Sequence, residues 1–245
     1  CQCGIVLTAS HNPPEYNGYK VFRDNGAQII PPHDQHIADA IERAPETRNM
    51  HRPSLFESIQ QGLFKTIPNS LVDTYFAGVQ EQRWRKTPAN HSDIRIVYSA
   101  MHGVGTRFVM RALRESGFSQ IHSVPSQSDP NGSFPTVKFP NPEEPNAMDA
   151  CYQLAEESKA ELILANDPDA DRVAVAIRSR DGKSFKNLSG NAIGTLLGNE
   201  AIDACRDSSQ KNLVIASIVS TRMLSAIAME NDVQYVEALT GFKWI

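Results

Sequence analysis

Short β-branched runs recur along the chain, each leading into a polar turn and then a segment of helical period. Gly4-Ile-Val-Leu7, Ile94-Arg-Ile-Val-Tyr98, Glu161-Leu-Ile-Leu-Ala165 and Leu213 to Ile218 are such runs. Helical spacing follows at 106–116, 147–158 and 221–229, with Gly117 placed to stop the first of these. A β-hairpin protein would join its runs by two to five residues, so this alternation predicts an α/β fold. Its sheets should be mixed but mainly parallel, arranged as α/β units in series.

The flanking segments complete the pattern. Residues 37–44 and 55–84 carry apolar residues at helical spacing, interrupted near Pro68. Gln82 to Asp93 is polar, contains Pro88 and reads as a linker. Ile121 to Val124 and the run ending at Ile177 are further strands. Ala192, Ile193, Leu196, Leu197, Ala201 and Ile202 mark one face of a helix in a unit that begins at Ser189, and Val233 to Ala238 is a last strand. Pro125 to Pro145 is a long loop rich in Pro, Asn and Ser, and loops of that length inside domains are often functional. Three segments result: 1–88, 89–187 and 188–245.

Composition narrows the function classes. With 40% hydrophobic and 21% charged residues in 245, the chain can bury a sizeable core. Its net charge of −4, with bases scattered, argues against a nucleic-acid surface or a basic membrane anchor. Cys1, Cys3, Cys151 and Cys205 are too scattered for a disulfide framework, and Cys1-Gln-Cys3 lacks a second pair to hold zinc. Reduced thiols, no transmembrane-length apolar run and no signal peptide together suggest a cytoplasmic location. The chain opens on Cys at a core strand and ends at Trp244-Ile245 without a closing element, so it reads as cut at both ends.

Two polar stretches carry chemistry. Asn166-Asp-Pro-Asp-Ala-Asp-Arg172 follows an apolar strand, where open α/β sheets build their sites. In an extended loop the two-residue spacing would aim Asp167, Asp169 and Asp171 to one side, where they repel unless a cation lies between them. Oxygen donors alone select a hard ion, Mg²⁺ ahead of Mn²⁺ or Ca²⁺. A solvated acidic turn is the plain alternative. A calcium EF-hand is not, because its sixth and twelfth positions, Gly and Glu, are here Arg172 and Arg178. Arg172 can hold a phosphate oxygen, brace an Asp carboxylate or merely neutralise the loop.

The second stretch, Thr8-Ala-Ser-His-Asn-Pro-Pro14, leaves the first strand, and Asn17-Gly18 is a strong signal for a tight hairpin returning through Lys20. No G-x-S-x-G elbow surrounds Ser10, and adjacent Ser and His side chains rarely face each other, which argues against an acyl-enzyme hydrolase. A phosphorylated Ser10 would need only a cation and donors around its dianion. His11 could move a proton or simply hydrogen-bond its own loop. Lys20 could bring a positive charge or be a solvated strand lysine. His102, in Ser99-Ala-Met-His-Gly-Val-Gly105, is expected to shape its loop, and Glu143 and Glu144 to form a solvated face.

On these segments the chain resembles the α-D-phosphohexomutase superfamily of phosphoglucomutases and phosphomannomutases. Thr8-Ala-Ser-His-Asn-Pro13 with Asn17-Gly-Tyr-Lys20 is similar to its phosphoserine loop, and Asp167-Pro-Asp-Ala-Asp-Arg172 to its metal loop. Met101-His-Gly-Val-Gly105 lies between them and Leu239-Thr-Gly-Phe-Lys243 follows, in the family's order. Thr136 to Glu144 and Leu239 to Trp244 bring it nearest the phosphoglucomutase/phosphopentomutase branch. The resemblance implies a mutase that interconverts sugar 1- and 6-phosphates, or pentose 1- and 5-phosphates, through a phosphoserine and a sugar bisphosphate. Ser10 would carry the phosphoryl group and share one Mg²⁺ with Asp167, Asp169 and Asp171. His11 and Lys20 would stabilise charge or transfer protons. Arg172 would steady the metal loop or contact phosphate, and Thr240, Gly241 and Lys243 would orient the sugar.

The resemblance also implies a missing start of domain 1, a missing remainder of domain 3 and an absent domain 4. The 245 residues alone would then bind metal weakly and turn over little. Two other readings are open on the residues: a haloacid-dehalogenase-like phosphatase with Asp167 as nucleophile and Asp169 as acid, and a non-catalytic phosphosugar-binding scaffold. The sequence leaves the preferred sugar and the oligomeric state unassigned.

Overall fold

In a computed structural model, which describes residues 2–84, 93–206 and 211–245, the elements run in the expected alternation. β1 (Cys3–Leu7) and β2 (Tyr19–Arg23) form a two-stranded sheet, followed by α1 (His33–Glu42), α2 (Leu55–Gln60) and α3 (Asn69–Glu81). Then come β3 (Arg95–Ser99), α4 (Gly105–Glu115), β4 (Gln120–Ser123), α5 (Asp149–Ser158), β5 (Leu162–Asn166), β6 (Val173–Arg178) and β7 (Phe185–Leu188). α6 (Gly190–Ala204), β8 (Leu213–Ser217), α7 (Met223–Glu230) and β9 (Gln234–Ala238) close the order.

The chain divides into two compact units, one of residues 1–4 with 21–83, the other of 5–20 with 84–245. The linker centred on Pro88, and with it the boundary at 88/89, lies outside the described residues.

In the smaller unit the helical spacing over 55–84, expected to be interrupted near Pro68, is two helices. α2 begins with a capping box, in which Ser54 Oγ accepts from the Glu57 N–H and the Glu57 carboxylate accepts from the Ser54 N–H. It stops after six residues, and Gly62 follows with φ +70. α3 starts only after Pro68, whose φ of −71 suits a helix entrance. The expected break near Pro68 is therefore the end of a connector that begins at α2's C-terminus.

The larger unit holds a five-stranded sheet in the order β4-β3-β5-β6-β7. β3 pairs parallel with both β4 and β5, while β5–β6 and β6–β7 are antiparallel. The parallel character is thus confined to the βαβ part. β7 lacks a strand signature because Phe185-Lys-Asn-Leu188 is short and half polar; it pairs as the return arm of a hairpin closed at Gly182, φ +71. β8 and β9 form a separate parallel pair connected through α7.

Packing partners alternate with the strand period of two. Val97 joins Ile163, Ala165 and Ala176 in a cluster with Cys151 and Ala155 of α5, whereas its neighbour Tyr98 packs with Met110 and Val109 of α4. α4 and α5 therefore cover opposite faces of β3. Ile96, Val97, Tyr98, Ile163, Ala165 and Ala176 are fully buried, so the centre of this sheet carries the unit's core. Gly117, φ +95, ends α4 as its position suggests.

Ile163→Ala is expected to destabilise the larger unit by about 2–5 kcal/mol through the cavity it leaves. Ile177→Ala, at a side chain 40% exposed, should cost much less. Denaturant unfolding followed by circular dichroism measures both.

Candidate active site

Parallel pairing of β3 with β5 places the C-terminal ends of the two strands side by side, with Ser99 opposite Ala165. The chain leaves β3 through Met101 and His102, both in the left-handed region (φ +47 and +64), and that conformation is held by its surroundings. Met101 N–H donates to Ser99 Oγ at 3.0 Å and His102 N–H to the Gln127 carbonyl at 3.0 Å. Val104 N–H donates to the Pro168 carbonyl at 3.0 Å, which docks this loop on the acidic loop leaving β5. Gly103 makes the docking possible, since a Cβ there would lie 2.2 Å from Pro168 Cα.

The acidic loop is a turn rather than an extended segment. Ala170 has φ +58, and its N–H donates to the Asp167 carbonyl at 2.9 Å. That reversal, not strand-like alternation, gathers the carboxylates, and Asp167, Asp169 and Asp171 offer oxygens within 4.8 Å of one another. Their environments form a gradient: Asp167 is buried, Asp169 half-buried and Asp171 exposed.

The serine loop meets these carboxylates across 157 residues of sequence. Ser10 Oγ lies 2.9 Å from Asp167 Oδ2, 3.1 Å from Asp169 Oδ1 and 3.0 Å from His11 Nδ1. A hydroxyl has one proton, so it can donate to only one of these three atoms at a time, and His11 Nδ1 donates or accepts according to the ring's tautomer. Ser10 and His11 do face each other, contrary to the expectation for adjacent residues. Ser10 has φ +54, which breaks the extended alternation that would send successive side chains apart. Thr8, quoted above without a role, supports this conformation. Its Oγ1 accepts from the Ser10 N–H at 2.8 Å and approaches Asp169 Oδ2 at 3.4 Å.

Asn17-Gly18 is not a two-residue hairpin turn. Neither residue has positive φ, and the loop spans Thr8 to Gly18, closed by the Thr8 N–H to Gly18 carbonyl bond at 3.0 Å. Gly18 is required for space, because a Cβ would come 2.4 Å from the Thr8 carbonyl oxygen. Lys20 then reaches the carboxylates rather than the serine, with Nζ 3.1 Å from both Asp169 Oδ2 and Asp171 Oδ2.

The electrostatics follow from burial and these partners. Burial first, and the hydrogen bond with Asp169 second, push the Asp167 carboxyl above its ordinary range. Burial acts the same way on Asp169, but its bonds with Asp167 and Lys20 outweigh it and hold the carboxyl below the usual range. For Lys20, burial opposes the charge and the two aspartates more than compensate, so the ammonium is held above its ordinary value. Lys20 and, at longer range, the Arg172 guanidinium thus partly neutralise the outer carboxylates, and neither reaches Asp167. An oxygen-only donor set with this residual charge fits a hard divalent ion.

Other expected site residues take different places. Arg172 N–H donates to Asp167 Oδ1 at 3.0 Å, while its guanidinium Nε stands 3.9 Å from Asp171 Oδ1, so the residue braces the loop. Thr240, Gly241 and Lys243 follow β9; Gly241 has φ +122 and Lys243 Nζ lies 5.2 Å from the centre of the Trp244 ring. None of these four lines the open cavity of about 910 Å³ in front of Ser10 and Asp169. His102 does border it, but its Nε2 is bonded to Thr136 Oγ1 at 2.8 Å, and burial lowers its pKa, so it ties the long loop down as a neutral ring. Asn131, Gly132 and Phe134 of that loop also wall the cavity.

Three alpha/beta/alpha domains of the phosphoglucomutase/phosphomannomutase family match in order: domain I over residues 1–48, domain II over 73–182 and domain III over 189–245. The chain belongs to the phosphoglucomutase/phosphomannomutase family. Within it, phosphopentomutase of Mus musculus is 40% identical over 250 residues, covering 99% of this chain and 40% of the relative. A probable phosphomannomutase of Haemophilus influenzae is 40% identical over 245 residues, covering 99% and 48%. The chain therefore spans between two fifths and one half of the length of these curated relatives. The crystal structure of a putative phosphomannomutase from Thermus thermophilus superposes with a TM-score of 0.71 at 23% identity, over 99% of this chain and 49% of that one, and shares the family's fold.

Two substitutions test the geometry. Asp167→Asn is expected to raise the thermal midpoint of the metal-free chain, because it removes a charge that burial and the Asp169 carboxylate oppose more than Ser10 and the Arg172 N–H favour it. If the site holds a divalent ion, the substitution should also abolish the stabilisation that ion gives, roughly 2.7 kcal/mol at about a hundred times Kd. Gly103→Ala should cost about 1–3 kcal/mol by forcing the two loops apart, as read from the same melts.

Proposed function

We propose that this chain carries the phosphoserine and metal loops of a phosphosugar mutase, and that Ser10 is the residue phosphorylated. The observation that carries this reading is the Ser10 hydroxyl set among Asp167, Asp169 and His11 at 2.9–3.1 Å. An oxygen nucleophile among carboxylates is poorly placed for acyl chemistry. It is well placed where a divalent ion turns that negative field into a phosphate site.

Asp167, Asp169, Asp171 and Ser10 would hold the ion, which we take to be Mg²⁺, and it would neutralise charge on the transferring group. A fold-level neighbour, the N-acetylphosphoglucosamine mutase of Aspergillus fumigatus, was solved with GlcNAc-6P and magnesium, which supports that choice. In the forward half-reaction a sugar-phosphate hydroxyl oxygen attacks the phosphorus on Ser10. The phosphorus–Oγ bond breaks, its electron pair returns to Oγ, and a sugar bisphosphate forms. The sugar hydroxyl gives up its proton to water of the open cleft as it adds to phosphorus, and Oγ must regain one. His11 Nδ1, 3.0 Å from Oγ, is placed to supply it. In the return half Ser10 Oγ attacks the second phosphate and releases the isomeric monophosphate. Lys20 holds Asp169 and Asp171 in position between the two halves.

The phosphatase reading is disfavoured because Asp167 is fully buried, with both carboxylate oxygens engaged by Ser10 and the Arg172 N–H. Roles for Arg172, Thr240, Gly241 and Lys243 toward phosphate and sugar remain part of the proposal, as does the reading of three segments at 1–88, 89–187 and 188–245. Free thiols at Cys3, Cys151 and Cys205 fit a reducing, cytoplasmic setting. Relatives named phosphopentomutase and phosphoribomutase make pentose phosphates the first substrates to try.

Incubation with glucose 1,6-bisphosphate and Mg²⁺, followed by mass spectrometry, should place one phosphoryl group on Ser10. A coupled assay on pentose, glucose, mannose and glucosamine phosphates should then show Mg²⁺-dependent isomerisation by the chain within any longer protein that carries it. Ser10→Ala is expected to lower kcat by at least about a thousandfold. Unaltered turnover in that variant would assign the phosphoryl group to another nucleophile, and no turnover by the unaltered protein would leave the binding-scaffold reading.

A further inference from the structure

We propose that Asn166 and Tyr98 act as positioning residues for the acidic loop, closing it from behind so that its carboxylates converge before any ion arrives. Asn166 is the last residue of β5 and is buried. Its side-chain amide works in both directions: Nδ2 donates to the Arg172 carbonyl, and Oδ1 accepts from the Tyr98 hydroxyl at 2.9 Å. A single side chain therefore ties together the two ends of the loop and fastens them to the neighbouring strand.

Arg172 is held twice by this arrangement. Its carbonyl is taken by Asn166 and its N–H by Asp167 Oδ1, which fixes both the far end of the loop and the orientation of the Asp167 carboxylate. The other oxygen of that carboxylate is then left to face Ser10. Tyr98 is fully buried, and burial keeps its phenol protonated far beyond neutral pH, so it remains a donor. Space for its hydroxyl exists because residue 105 is glycine; a Cβ there would lie 2.4 Å away. The pairing of Tyr98 with Leu164 sets the height of the hydroxyl two residues below Asn166 on the adjacent strand.

Substitution separates the parts. Tyr98→Phe keeps the ring and removes one bond, whereas Asn166→Ala removes both. The effect on an ion rests on the functional reading above; the effect on the loop itself does not. In the metal-free 245-residue chain, hydrogen exchange at the Ala170 and Arg172 amides should accelerate about five- to tenfold in Tyr98→Phe and more in Asn166→Ala. The Val97 and Ala176 amides of the sheet should change less than about twofold. Mn²⁺ affinity, measured by electron paramagnetic resonance, should fall about tenfold or more in Asn166→Ala, and the double variant should bind no worse than that single one.

Unchanged exchange in the loop, or equal acceleration throughout the sheet, would overturn the proposal, as would a loosened loop that binds Mn²⁺ with undiminished affinity. Should Asn166→Ala fail to fold, Tyr98→Phe decides by the same measurements. If the unaltered chain bound no Mn²⁺, the metal reading would fall, while loop exchange would still decide whether these residues position the loop.

Discussion

The site depends on one contact between backbones, that of Gly103 against Pro168. Parallel pairing of β3 and β5 brings two loop exits together, but adjacency alone would let them splay. Gly103 allows the loop after β3 to close onto Pro168, and the Val104 N–H to Pro168 carbonyl bond locks it. The acidic turn cannot relax outward, and Asp167 stays at the bottom of the cleft where Ser10 reaches it. Two left-handed residues, Met101 and His102, are accepted in return for this closure.

Charge organises what the backbone has brought together. Three carboxylates converge opposite a serine, and burial makes the deepest of them hardest to ionise. Lys20 sits toward the exposed end, against Asp169 and Asp171, so negative charge is offset least where it is most costly. Such a gradient favours a small cation entering near Asp167 and Asp169, beside the oxygen that would carry the phosphoryl group.

Much of this was legible in the sequence, and its gaps have physical causes. Hydrophobic period identified β3, α4, β5 and the β8–α7–β9 unit, and of these β3 and β5 bury most of their residues. β7 escaped because half of its residues are polar and its partner strand supplies the order. Over 55–84 the break was expected only near Pro68, because periodicity does not register a connector whose apolar residues, Leu63, Phe64 and Ile67, continue the pattern. Asp167, Asp169 and Asp171 were legible from their spacing, yet their convergence comes from the left-handed turn at Ala170, a conformation alanine gives no reason to expect. Gly103 and Tyr98 act through partners distant in sequence, and Thr8 and Asn166 each join one such partner to a nearby one. Their one local sign was a polar Asn ending an apolar strand.

Asn17-Gly18 shows why a local signal can find the right residue for the wrong reason. The pair suggests a tight turn, since both residues tolerate positive φ. Here neither adopts it, and the glycine is needed because its strand edge runs too close to the Thr8 carbonyl for any side chain. That close approach narrows the neck of an eleven-residue loop from Thr8 to Gly18, and a narrow neck is what allows Ser10 at one side and Lys20 beyond the other to address the same carboxylate, Asp169. A two-residue turn would have given a tighter hairpin with no loop long enough to carry Ser10 to Asp167 and Asp169. The constraint on position 18 is therefore the same constraint that creates room for the site.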